Sequence, residues 1–223
     1  MDLRWWWIVQ KDLATEYRGW NTWPRMLLLG LLMAFLTSYM AIASSGDNSR
    51  TAAGICWLTI CLAATISLSH SMQDEQNPCC WESLRLYPIS PSTIYAAKLT
   101  VNTLSLAALQ LVVIPCFAVT TNVTWMSHPL LLVVVACLGN LAINSVGTVA
   151  AALTVRWQSS HGLLVLLTLP LLIPVILAAA ESTRLLDHAA AHGPWRDWLL
   201  LLTAFAVVYL TAGWVLFEYL VED

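Results

Sequence analysis

Long apolar runs, broken by short polar stretches, organise most of the chain. Charge-free intervals run over 26–46, 51–73, 99–155, 157–180 and 198–217. A helix that crosses a bilayer needs about 20 mostly apolar residues, so the third interval is too long for one crossing. It breaks at TTNVTWMSHP, residues 120–129, which is polar and closes on Pro129. The pattern predicts six spanning helices at about 26–45, 52–71, 96–119, 130–154, 163–180 and 198–220, forming one domain over 26–220. The fifth carries Pro170 and Pro174, four apart. Each proline removes an amide from the helical ladder, which lipid tolerates only where neighbours re-satisfy the freed carbonyl. A packed, mobile or cavity-lining helix and a purely structural kink both fit.

Two segments depart from the spanning pattern. Residues 1–25 hold Trp5, Trp6, Trp7, Trp20 and Trp23 among Arg4, Lys11, Arg18 and Arg25. Tryptophan favours the headgroup level, and Lys and Arg favour the adjacent water. This segment reads as interfacial and amphipathic, with a helix from about Arg4 to Tyr17 lying on the membrane. No cleavage site for a signal peptide is expected near the first apolar run, which starts at Met26. The second departure is SMQDEQNPCCWESLRLYPISP, residues 71–91, the longest polar interruption between spans. Trp81 to Leu86 can form a short amphipathic helix stopped by Pro88 and Pro91. A solvated connector and a docking surface for a soluble partner are the two readings.

Composition agrees with lipid as the solvent. The chain has 223 residues, of which 59% are hydrophobic and 10% charged. Its mean hydropathy is +0.71. Soluble domains carry about 25% charged residues. The net charge of −3 argues against nucleic acid as a partner. Lys and Arg in short loops set orientation. With the N-terminus inside, the inner side holds Arg4, Lys11, Arg18, Arg25, Arg85, Lys98 and Arg156, and the outer side Arg50, Arg184 and Arg196. The bias places both termini and residues 72–95 in the cytoplasm, and Glu181–Asp197 outside.

Candidate chemistry is sparse. The reading places no Asp, Glu, Lys or Arg at mid-span, which argues against an ion-coupled carrier. Asn102, Gln110, Asn140 and Asn144 are the main intramembrane polar groups. Asn140 and Asn144 share a helix face, and helix-to-helix hydrogen bonding is favoured over a substrate contact. Gly139 and Gly147 on the same helix suit close packing. His188 and His192 have a spacing that could ligate a metal or haem iron, but no third ligand accompanies them. His70 reads as a capping or interface residue. Cys79 and Cys80 are adjacent and make no zinc spacing, while the other four cysteines sit in apolar runs as small hydrophobes. No metal site or catalytic constellation is expected, and no cofactor is assigned. No G-x-x-x-x-G-K-[ST] loop is present, so any ATP would be bound by another chain.

Several stretches together resemble a known family. Gly54-Ile55-Cys56-Trp57, then Asp74-Glu75, Glu82-Ser83-Leu84 and Tyr87-Pro88-Ile89-Ser90-Pro91 resemble the CcmB family, the haem-exporter-type permease of bacterial cytochrome c maturation. That family shows G-I-x-W opening the second span, an acidic pair, L-E-x-L and a P-x-x-P-like end. Ala152-Leu153-Thr154-Val155 and Leu166 to Pro174 resemble its A-L-T-V and L-P-L-x-I-P run. The layout agrees over about 1–220, while the specific motifs lie in 54–98 and 152–174. The chain departs from the pattern at Ser69 and His70, where the family tends to have Glu-Arg. It also lacks a glycine near Cys79 and differs across 156–162.

The resemblance implies a fold and a role. The fold would be an ABC-2-type permease-like bundle with six transmembrane helices and an N-terminal interfacial helix, in the bacterial inner membrane. The role would be a non-catalytic permease subunit of an ATP-binding-cassette transporter. Its partners would be a second permease copy, making a homodimer, an ABC ATPase subunit that carries the ATP, a haem-handling membrane protein and a periplasmic haem chaperone. Haem would be cargo. The loop 72–95 would hold the coupling helix that fits the ATPase, with Asp74, Glu75, Trp81, Glu82, Leu84, Arg85 and Pro88 as its contact residues. Asn140, Asn144, Pro170 and Pro174 would shape packing and kinking of the spans. Another cargo (drug, lipid or polysaccharide) and a non-transporting membrane scaffold remain as alternatives.

Overall fold

The computed structural model describes residues 9–10, 13, 22–43, 48–73, 91–156, 161–186 and 194–222. Most of the expected interfacial segment 1–25 lies outside the described residues, as do 74–90 and the His188–His192 pair. Among the described residues, six long helices make up the bundle. They are α1 (Thr22–Ala43), α2 (Asn48–Gln73), α3 (Pro91–Thr121), α4 (Pro129–Arg156), α5 (His161–Arg184) and α6 (Pro194–Glu222), with a 3-10 turn at Trp125–Ser127 between α3 and α4. No strand occurs among the described residues. Five of the helices, α1 to α4 and α6, are long and apolar enough to cross a membrane.

Helix is the local solution because lipid offers backbone groups no partners. Proline sets three of the starts: α3, α4 and α6 begin at Pro91, Pro129 and Pro194. A missing amide costs nothing in the first turn, where amides have no intrahelical acceptor. Pro91 therefore opens α3 and does not serve only to stop a preceding helix, and α3 begins five residues before the expected span start at 96. At its other end Asn122 takes φ 52. The Val123 amide then returns to the Ala118 carbonyl at 3.2 Å. That left-handed residue and its bond to a carbonyl five back end the helix in the Schellman manner, with asparagine where glycine is commoner.

Apolar side chains cover much of the outside of the bundle as well as filling its interior. Asn102, Gln110, Asn140 and Asn144 are buried, while Leu28, Phe35, Leu111, Leu130 and Val208 are exposed. So much exposed apolar surface is stable only against lipid. The chain is a multi-pass membrane protein. α2 and α4 form the centre: α2 touches α1, α3, α4 and α5, and α4 touches α2, α3, α5 and α6. Glycine lets these two approach. A Cβ on Gly139 would lie 2.4 Å from the Trp57 ring, and one on Gly147 would lie 2.2 Å from Leu68. Both glycines face α2, which is the small-residue packing that lipid-embedded helices favour.

Because α3 starts early, Lys98 lies in its second turn and is only 2% exposed. It sits near the end of α3 that carries the 71–91 connection, at the same end where the sequence reading counted it.

Candidate functional site

The bundle has two ends. One carries the 3-10 turn and the junctions α1–α2 and α5–α6; the other carries the end of α2 at Gln73 and the start of α3 at Pro91. Asp74, Glu75, Trp81, Glu82, Leu84, Arg85 and Pro88 belong to the connection at this second end and lie outside the described residues. What the structure describes is their exit into α3. Tyr95, in the first turns of α3, is fully buried. Its ring packs against Phe217 at a centroid distance of 5.4 Å and edge-on to Trp214 at 6.2 Å. Its hydroxyl donates to the Ser145 carbonyl at 3.4 Å. One aromatic side chain therefore joins α3 to both α4 and α6.

At mid-bundle a polar seam joins α3 to α4. Asn144 donates its Nδ2 to Asn140 Oδ1 at 2.5 Å. Asn140 Nδ2 donates in turn to the Thr103 carbonyl at 3.0 Å and reaches Gln110 Oε1 at 3.5 Å. The shared face of Asn140 and Asn144 is thus turned toward α3, and Asn140 carries the inter-helix bonds. Thr148 donates back to the Asn144 carbonyl at 2.7 Å. Buried amides in lipid require such partners.

Pro170 and Pro174 lie inside α5, which packs on α2, α4 and α6. Val175, Ala178 and Ala179 on its inner side are fully buried. Pro174 has no amide to offer the Pro170 carbonyl. At the next carbonyl, that of Leu171, the Tyr209 hydroxyl of α6 donates at 2.8 Å. The bond ties α6 to α5 beside the prolines, at a carbonyl next to the one that Pro174 frees. Nothing in the sequence singled out Tyr209; its signal was only a tyrosine within an apolar span.

The first end is a tryptophan-capped polar rim. Trp57 Nε1 donates to Thr183 Oγ1 at 2.9 Å, Trp195 Nε1 to the Ser182 carbonyl at 3.0 Å, and Trp125 Nε1 to Ser49 Oγ at 3.4 Å. Glu181 lies between Arg50, at 2.8 Å, and Arg184, at 2.7 Å. Burial pushes the Glu181 carboxyl up, but the two guanidiniums outweigh it and hold the group below its ordinary range. Among the described residues no three His, Cys, Asp or Glu side chains gather as a metal site would require.

These features define a class: among the described residues, a helical, multi-span membrane protein with a buried polar seam between two of its helices. The CcmB protein family model matches residues 3–217, and the chain belongs to that family. It is 27% identical over 177 residues to heme exporter protein B of Rhodobacter capsulatus, covering 79% of this chain and 81% of the relative. To heme exporter protein B of Haemophilus influenzae it is 28% identical over 167 residues, 73% of this chain and 72% of the relative. To that of Paracoccus denitrificans it is 26% identical over 174 residues, 78% and 79%.

Proposed function

We propose that this chain is the membrane permease subunit of an ATP-driven haem export system in cytochrome c maturation. The observation that carries the reading is the family match across almost the whole chain, 3–217, on a multi-span helical bundle. The sequence has no phosphate-binding loop of its own, so ATP hydrolysis belongs to a partner subunit. The ATPase docks on the cytoplasmic segment 71–91, where Glu82 and Arg85 make polar contacts and Trp81 and Leu84 apolar ones, with Asp74, Glu75 and Pro88 framing them. Both termini are cytoplasmic, six helices cross the bacterial inner membrane, and two copies pair with two ATPases. A haem-handling membrane protein and a periplasmic haem chaperone complete the assembly.

The mechanism is mechanical. The ATPase closes on nucleotide, displaces the docked segment, and the helices repack. Asn140, steadied by Asn144 on the same helix, holds α3 to α4 through the stroke, and the Pro170–Pro174 region is where α5 bends. The test is a pulldown. Glu82→Ala combined with Leu84→Ala is expected to lose the co-purified ATPase while the subunit still inserts into the membrane. Retention of the ATPase by the double variant would remove the docking assignment. An absorption spectrum of the purified wild-type complex tests the cargo: a haem Soret band supports it, and export of another compound with no haem dependence sinks it.

A further inference from the structure

We infer that Tyr95 is the positioning residue that carries displacement of segment 71–91 into α4 and α6. This rests on the docking reading above and adds the route by which the push leaves the loop. α3 begins at Pro91, so Tyr95 lies four residues beyond the segment on a continuous helix. Tyr95 is completely buried, and Ile94, Ala97 and Lys98 beside it are buried too. Movement at Pro91 therefore moves a ring that has nowhere to withdraw.

The surroundings of that ring decide where the motion goes. On α6, Trp214 and Phe217 pack against it at 6.2 and 5.4 Å. One residue before Trp214 is Gly213, where a Cβ would stand 2.3 Å from the Tyr95 hydroxyl oxygen and 3.0 Å from the ring carbon that bears it. The same Cβ would lie 3.3 Å from the Ser145 carbonyl of α4. The hydroxyl thus occupies a notch formed by α4 and α6 together. Its bond to Ser145 is long, 3.4 Å, so the grip is chiefly steric and the ring does most of the work. Packed side chains pass small displacements on because close-packed contacts have no slack to absorb them.

The steric reading predicts an order among variants. Tyr95→Phe keeps the ring and retains near wild-type coupling. Tyr95→Ala empties the notch and uncouples: ATPase capture and ATP hydrolysis persist, while export per ATP hydrolysed falls about tenfold, within the usual range of coupling between distant sites. Gly213→Ala impairs export by overfilling the notch, and adding Tyr95→Phe restores part of it because the oxygen nearest the new methyl is gone.

The experiment reconstitutes the permease with its ATPase in nanodiscs. It measures capture and ATP hydrolysis there, and holocytochrome c in cells expressing each variant. A residue that only stabilised the fold would lower capture, hydrolysis and export in parallel, and that pattern overturns the inference. Unchanged export in Tyr95→Ala overturns it as well. The Glu82→Ala, Leu84→Ala variant is the control. If it loses the ATPase while Tyr95→Ala exports normally, only this inference falls. If it keeps the ATPase, the docking reading falls and this inference goes with it.

Discussion

Glu181 is held by two cations that come from different parts of the chain. Arg184 is one turn away, but Arg50 approaches from α2, 131 residues distant in sequence. The carboxylate side chain is 12% exposed and Arg50 is 66% exposed, so solvent screens the outer half of the network. The group's folded pKa lies below its ordinary value. Its contribution is therefore complete above the unfolded value, about 4.3, and is lost as pH falls through the lower folded value. The wild type is expected to lose roughly 0.5–1 kcal/mol on acidification below about pH 4 from this network. Glu181→Gln removes the same increment at neutral pH and flattens that part of the acid limb. Thermal unfolding in detergent across pH 3–7 checks this, and an acid limb identical in both proteins would assign the loss to other carboxylates.

Among whole helices, the α2–α4 crossing is the tightest constraint. The Trp57 ring stands against Gly139, and its indole nitrogen is tied to Thr183 of α5. A ring fixed on one side by a hydrogen bond and on the other by a glycine backbone cannot step aside for a methyl group. Gly139→Ala is expected to destabilise by about 1–3 kcal/mol, the usual cost of overpacking. Adding Trp57→Phe should recover part of that loss even though it forfeits the Thr183 bond. Unfolding in a denaturing detergent series measures both, and a neutral Gly139→Ala would show that Trp57 has room to move. The elements themselves were largely legible in the sequence, for local reasons. The polar break at 120–129 holds Asn122, whose left-handed backbone ends α3, and Gly139 and Gly147 advertised a close approach. Pairings across the bundle were not legible. Trp57 with Thr183, Arg50 with Glu181 and Tyr209 with Leu171 join residues that no periodicity connects. The docking reading of 71–91 came from family likeness, since its residue types alone favour a connector.

For the molecule as a whole, orientation in the membrane decides which end can meet an ATPase. The 31 residues of α3 give it a length of about 46 Å, more than a bilayer's apolar core, so its two ends belong to opposite faces. Lys and Arg number seven on the side of the N-terminus against three on the other. Two of those three, Arg50 and Arg184, are paired with Glu181. That bias is the argument for a cytoplasmic 71–91 segment. Met126, 53% exposed in the turn between α3 and α4, then faces the periplasm. In a background with the native cysteines replaced, Met126→Cys is expected to react in intact cells with a maleimide that cannot cross membranes. Gln76→Cys is expected to react only after the cells are broken open. The opposite pattern would put segment 71–91 where no cytoplasmic ATPase reaches it. The docking residues and the route through Tyr95 would then both be lost, while the helical bundle and the family it belongs to would stand.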